Sequence, residues 1–257
     1  MSDNDIILKT AGLTKHYGGL EALNDANFEI RRGEHVAIMG DNGAGKSTFV
    51  RQITAVEQKT AGTIWFDGAN VEFKGPLEAR EAGIETVFQN LALADDLDVP
   101  DNLFLGREKI KFNLGPFSIL DYKGMREATI AGLQKTAVKI PNIRNTIRNM
   151  SGGQRQCVAI ARTATFHSKL TIMDEPTAAL GVQETQQVEN IIRTLKEQGE
   201  PLILVSHNMR QVFDLVDRIV VFRRGRIVAD LDKNETDGQD VVAYITGVKT
   251  GAGFEEA

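Results

Sequence analysis

The chain has 257 residues, 42% hydrophobic and 25% charged, the profile of an ordinary globular protein of one or two domains with room for a sizeable core. Its 30 basic and 35 acidic residues leave a formal charge of −5, which gives no global attraction to nucleic acid or anionic lipid, so nucleic acid is not an expected partner. No apolar run approaches the roughly 18 residues that span a bilayer, and the start MSDNDIILKT is acidic where a secretory signal is basic; the chain is expected to stay in the cytosol.

Strand-like stretches come first, around Ile6 to Leu8, Ala26 to Ile30 and Gly62 to Phe66, and predict a small antiparallel sheet near the N-terminus. Between the second and third lies the apolar run Val36 to Met39, then GDNGAGKS from Gly40 to Ser47, then a helical stripe through Thr48, Phe49, Val50 and Ile53. That is the context of a phosphate-binding loop. Its glycines let backbone N–H groups curl around an anion, Lys46 brings a cation to the β and γ phosphates, and the Ser47 hydroxyl can hold Mg²⁺. The pattern arises by chance in roughly one chain of this length in a hundred, so a plain glycine turn is the weaker reading.

From Gln89 to about Ser168 the strand signal fades, and helical stretches such as Arg126 to Lys139 and Gln154 to Phe166 dominate. Residues Leu105 to Asp121, with Gly106, Gly115 and Pro116, read as an irregular connection. Cys157 shares one apolar helical face with Ile160, Ala161 and Ala164 and is expected to be an inert core thiol. Strand and helix then alternate. Leu170 to Met173 ends in Asp174 and Glu175, and a helix follows with Val188, Ile191, Ile192 and Leu195 on one face and Gly199 at its end. Leu202 to Val205 ends in Ser206 and His207, followed by the stripe Met209, Val212, Phe213 and Val216. Such alternation builds a parallel sheet, whose ligands collect beyond the carboxyl ends of its strands. Arg218 to Phe222 and Arg226 to Ala229 read as a hairpin, and the chain from about Lys249 as frayed.

Ser151-Gly152-Gly153-Gln154 opens the helix that runs to Phe166. Ser151 is a good N-cap, and the two glycines expose N–H groups at the positive end of the helix dipole, so the turn is a second anion site. Taken in order, GDNGAGKS, SGGQ, apolar-Asp174-Glu175 and His207 resemble the ATP-binding subunit of ABC transporters from about Leu8 to Gly247. The resemblance implies an α/β, P-loop NTPase (RecA-like) parallel-sheet core with an N-terminal antiparallel β subdomain and an inserted helical subdomain. On this reading residues 1–248 form the ATPase domain, with the core and β subdomain in 1–88 and 168–230, the helical subdomain in 89–167, and a C-terminal helix and frayed tail in 231–257.

The same resemblance assigns roles. Tyr17 stacks on adenine. Gly40, Asp41, Asn42, Gly43, Ala44, Gly45, Lys46, Ser47 and Thr48 hold the phosphates. Gln89 senses Mg²⁺ and the attacking water, Asp174 and Ser47 hold Mg²⁺, Glu175 orients and polarises the water, and His207 contacts the γ phosphate. Two copies pair head to tail, and Ser151, Gly152, Gly153 and Gln154 of one close on the ATP of the other. The implied complex is a homodimer on separate permease subunits at the cytoplasmic face of the inner membrane, served by a periplasmic sugar-binding protein.

EPTAALGV from Glu175 to Val182, with DNGAGKST and SHNM, is similar to subunits that energise import of monosaccharides such as ribose, xylose, galactose or fructose, in the single-length form known from fructose-type importers. Gly181 stands where the family carries an aspartate, and Met150 and Thr171 are milder departures expected to preserve packing. The rival reading is a soluble ABC ATPase of DNA repair or translation. It fits poorly with one Cys, one phosphate loop and no heptad run.

Overall fold

The computed structural model describes residues 5–114, 117–136, 138, 140–166 and 168–250. Contacts divide the chain into two compact units, one made of Met1–Thr86, Lys169–Glu175 and Leu195–Ala257, the other of Val87–Ser168 and Pro176–Thr194.

The first unit holds two sheets. In the antiparallel one, β1 (Ile6–Tyr17) lies between β2 (Leu20–Arg31) and β4 (Ala61–Phe66), and β5 (Ala69–Val71) forms the far edge. The expected strands are here, but β1 and β2 are 12 residues long because register shifts carry the ladder past Gly12 and Asp25, both at positive φ. Such bulges break the in-out alternation by which a strand is recognised.

The second sheet has the order β12-β11-β3-β10-β9-β6, with β3 at His35–Gly40, β6 at Ile84–Val87, β9 at Leu170–Asp174, β10 at Leu202–Val205, β11 at Arg218–Arg223 and β12 at Arg226–Asp232. Strands β11, β3, β10 and β9 run parallel, and β11 and β12 make the expected hairpin. Every residue of β9 and β10 is buried, as is β3 up to Met39, the mark of strands covered on both faces. Helix α1 (Lys46–Ile53) leaves the phosphate loop and drives Phe49 between Phe28 of β2 and Phe222 of β11, at ring distances of 5.2 and 5.4 Å. Edge and tilted contacts of this kind fix a helix against both sheets at once.

In the second unit, α3 (Val99–Phe104), α4 (Tyr122–Lys135) and α5 (Gly152–Thr165) bury Val99, Leu103, Phe104, Met125, Ile147, Met150 and Val158 in one cluster. Met150 keeps its place in this core, while Thr171 is fully buried in β9 of the first unit. Cys157 is buried with Ile160, Ala161 and Ala164, and burial pushes its thiol up to about 11, so it is the inert core residue expected.

Two expectations are corrected. The segment Leu105 to Asp121 is not irregular throughout: β7 (Ile110–Leu114) and β8 (Phe117–Leu120) pair as an antiparallel hairpin, while Gly115 and Pro116 lie outside the described residues. Its apolar side chains Ile110, Phe112 and Ile119 face solvent, so the alternation marks no buried face and is too short to read. The expected helix Arg126 to Lys139 starts instead at Tyr122, because the Asp121 carboxylate caps Gly124 N–H, and it ends at Lys135; Lys139 lies outside the described residues. The Lys249 ammonium pairs with Asp240 of α8 (Gly238–Thr246) at 2.5 Å. The tail from residue 251 lies outside the described residues.

Candidate active site

The register of the parallel sheet sets Ile38, Val205 and Asp174 side by side, so Gly40, Ser206 and Glu175 leave neighbouring strands at one edge. The loop from Asp41 to Gly45 is closed by backbone bonds. Ala44 N–H donates to Asp41 C=O at 3.1 Å, and Phe49 N–H to Gly45 C=O at 2.8 Å. The turn of the β11–β12 hairpin reaches over as well, with Gly225 N–H donating to Ala44 C=O at 2.9 Å and Asn24 N–H to Gly225 C=O at 2.8 Å. Gly45 sits at φ 104, and a Cβ there would meet Ala22 O at 2.9 Å and Gly225 Cα at 3.1 Å; only glycine fits both the angle and the space.

Lys46 Nζ donates to Gly40 O at 2.7 Å and Asp41 O at 2.9 Å. Two of its three donors are thus spent on its own loop, which points the ammonium into the loop's concavity. Burial lowers the Lys46 pKa, while Glu175, Asp174 and Asp41 act in the opposite direction. Asp174 is buried at the end of β9, its carboxyl pKa raised first by that burial and then by Glu175, against Lys46 and Arg51.

Glu175 has φ 52, a left-handed conformation rare outside glycine that costs of order 1–3 kcal/mol and gathers at functional sites. Its N–H still bonds Val205 C=O at 2.9 Å, and its side chain meets His207 Nδ1 at 2.8 Å through Oε2. His207 is itself placed by its neighbours. Ser206 Oγ accepts from Asn208 N–H at 3.1 Å, and the Asn208 side chain caps α7 (Met209–Leu215) by accepting from Gln211 N–H.

A cleft of about 330 Å³ runs along the loop, lined by Tyr17, Leu20 and Ala22 on one side and Asn42–Thr48 on the other. One end is aromatic and apolar, the other is backbone N–H and Lys46, which suits a flat base joined to phosphates. Leu20 and Ala22 escaped the sequence reading. The available signal was Gly18-Gly19 after Tyr17, which folds β2 back beside it.

In the second unit, Ser151 and Gln154 form a complete capping box: Ser151 Oγ accepts from Gln154 N–H at 3.2 Å and Gln154 Oε1 from Ser151 N–H at 3.0 Å. Gly153 packs against Glu184 of α6 (Val182–Glu197), and a Cβ at Gly153 would fall 2.1 Å from Glu184 Cγ. Gly153→Ala is therefore expected to destabilise by about 1–3 kcal/mol despite its better helix propensity, and adding Glu184→Ala to recover part of that loss, since the Glu184 Cβ, 2.8 Å from the added one, remains. Urea midpoints of the single and double variants measure this; an unchanged midpoint in the single variant contradicts the packing. Gly181 C=O accepts from Thr185 N–H at 2.9 Å and so starts α6 with backbone alone. Gln89 lies two residues past β6, exposed, and belongs to this second unit. The structure thus gathers Tyr17, Gly40–Thr48, Asp174, Glu175 and His207 in the first unit.

Residues 23–178 match the profile of the ABC transporter family. The chain is similar to the fructose import ATP-binding protein FrcA of Rhizobium meliloti, 44% identical over 246 residues, or 95% of each chain. It is 39% identical to the xylose/arabinose import ATP-binding protein XylG of Sulfolobus acidocaldarius, covering 98% of this chain and 97% of that one. A crystal structure of a nucleotide-free ATP-binding cassette from an ABC transporter superposes with a TM-score of 0.80 at 25% identity, over 93% of this chain and 98% of that one.

Proposed function

This chain belongs to the ABC transporter family and is an ATPase, and from that premise we propose that it drives import of a monosaccharide across the cytoplasmic membrane. The observation that carries the transport half is end-to-end similarity to the fructose and the xylose/arabinose import subunits. These relatives lend nothing to a DNA-repair or translation ATPase.

For the chemistry, the cleft from Tyr17 to Thr48 takes ATP with adenine against Tyr17 and the phosphates on the loop N–H groups and Lys46. Two adjacent carboxylates, Asp174 and Glu175, facing Lys46 and Arg51 make an oxygen-rich corner that fits a hard divalent cation bound together with the phosphates. Ser47 and Asp174 would hold Mg²⁺, which supplies charge neutralisation at the phosphates. Glu175 is the general base. Its Oε2 is taken by His207, which turns Oε1 toward an attacking water and holds the carboxylate in place as it accepts the proton. With the water so oriented, the remaining work is electrostatic, supplied by Lys46 and the loop dipoles.

The capped Ser151–Gln154 turn presents N–H groups at a helix N-terminus, and in this proposal it closes on the γ phosphate of a second copy. ATP then joins the two copies and hydrolysis parts them. No helix among the described residues is long and apolar enough to cross a membrane. In this proposal the chain works beside separate permease subunits on the cytoplasmic face, fed by a periplasmic sugar-binding protein. Affinity purification of the tagged chain from gently solubilised membranes tests this. An integral permease in the eluate is the expected result, with ATPase activity of the reconstituted complex rising with a sugar-loaded binding protein. Recovery of ribosomal or DNA-repair proteins alone overturns the transport assignment.

A further inference from the structure

Tyr17 is 41% exposed, so packing alone does not fix the angle of its ring. Polar contacts do. The phenol donates to Glu57 Oε2, and Arg51 Nη1 meets the other carboxylate oxygen at 3.1 Å. Glu57 N–H also donates to Arg51 C=O at 3.2 Å, so carboxylate and backbone of Glu57 are both tied to one residue of α1. Thr48, in the first turn of the same helix, lines the same cleft as the phenol, whose pKa is raised by burial and by Glu57 against Arg51 and Thr48, so it stays a donor. Lys15 covers one face of the ring, its Nζ 5.1 Å from the centroid and bonded to Gln58 O at 2.6 Å. A base can then stack only on the other face.

We propose that Glu57 is a positioning residue that locks the Tyr17 ring for stacking on adenine, with Arg51 holding Glu57 so that the base site is registered to the phosphate-loop helix. This rests on the reading of Tyr17 as the base-stacking residue. The consequence is that α1 sets both ends of the nucleotide. Lys46 and Ser47 begin the helix at the phosphates, and Arg51, five residues on, fixes the ring that meets the base.

The test uses the full chain and reads ATP hydrolysis together with displacement of a fluorescent nucleotide by ATP and by inorganic tripolyphosphate, which has no base. Glu57→Ala is expected to raise the ATP KM about three- to tenfold, an exposed charge-assisted bond being worth less than a buried one, with kcat and tripolyphosphate affinity unchanged. Tyr17→Phe reads the same bond from the other side without touching the carboxylate. It should match Glu57→Ala, and the double variant should be no worse than either. Glu57→Gln, which keeps a carbonyl for the phenol but loses the Arg51 ion pair, should fall between. Tyr17→Ala separates the two levels of the claim. If it leaves the ATP KM unchanged, the base-stacking reading itself fails. If it raises KM while Glu57→Ala and Tyr17→Phe do not, stacking stands and the positioning role is refuted. An equal loss of ATP and tripolyphosphate affinity in Glu57→Ala also overturns it, because the effect would then run through the phosphate loop.

Discussion

Glu175→Gln is expected to cut steady-state ATP turnover by about 10²–10⁴-fold while leaving ATP affinity within about twofold. The change is nearly isosteric, and the carbonyl of the amide can still accept from His207 Nδ1, so the 2.8 Å contact that orients the side chain survives. What disappears is basicity: an amide oxygen does not take a proton from water near neutral pH. The main chain should stay as it is, since φ 52 at this position is imposed by the strand end, where the residue's N–H remains in the ladder with Val205. In the proposed cycle the variant still joins its partner through ATP but cannot part from it, so size-exclusion chromatography with ATP should show a persistent dimer. Single-turnover hydrolysis within tenfold of wild type would move the base to another residue.

Lys46→Ala is expected to weaken ATP binding by about 10²–10³-fold. A hydrogen bond between charged groups contributes about 1.5–3 kcal/mol, and a lysine shared between two phosphates brings roughly 3–4 kcal/mol, which converts to that range. The loop itself should persist, because its shape depends on backbone bonds from Gly225, Asp41 and Gly45 and on Phe49 wedged between Phe28 and Phe222. Loss of the two lysine bonds to Gly40 and Asp41 is a small change beside these. Calorimetric titration with ATP measures the effect, and circular dichroism confirms the fold. An affinity within threefold of wild type contradicts the phosphate-loop assignment.

The parts of this fold that were legible in sequence are those where one local rule decides. Strands β3, β9 and β10 are continuous apolar runs because both faces are buried, and each ends in the residues that become the site, so the loop, Asp174, Glu175 and His207 could be placed together before any coordinates. What escaped depends on contacts distant in sequence or on rules that cancel. Glu57 meets Tyr17 across 40 residues, and no spacing in the chain points to it. The bulges near Gly12 and Asp25 hide three quarters of β1, and the solvent-facing Ile110, Phe112 and Ile119 gave the β7–β8 hairpin no buried face to announce it. Asp121 and Asn208 are ordinary polar residues until seen capping α4 and α7.

The bond from Gly225 to Ala44 has a consequence for how the protein is made. Strand β3, which carries the loop, pairs only with β10 and β11, both supplied by the last quarter of the chain. At ~5–20 residues per second, a ribosome needs roughly ten to forty seconds to travel from Ala44 to Gly225. For most of that interval the loop lacks both of its flanking strands, and it lacks its clamp until the end. Nucleotide capture is therefore a late event in biosynthesis, and a nascent chain arrested before the β11–β12 hairpin emerges should fail to retain ATP even though every residue of the phosphate loop has long been exposed.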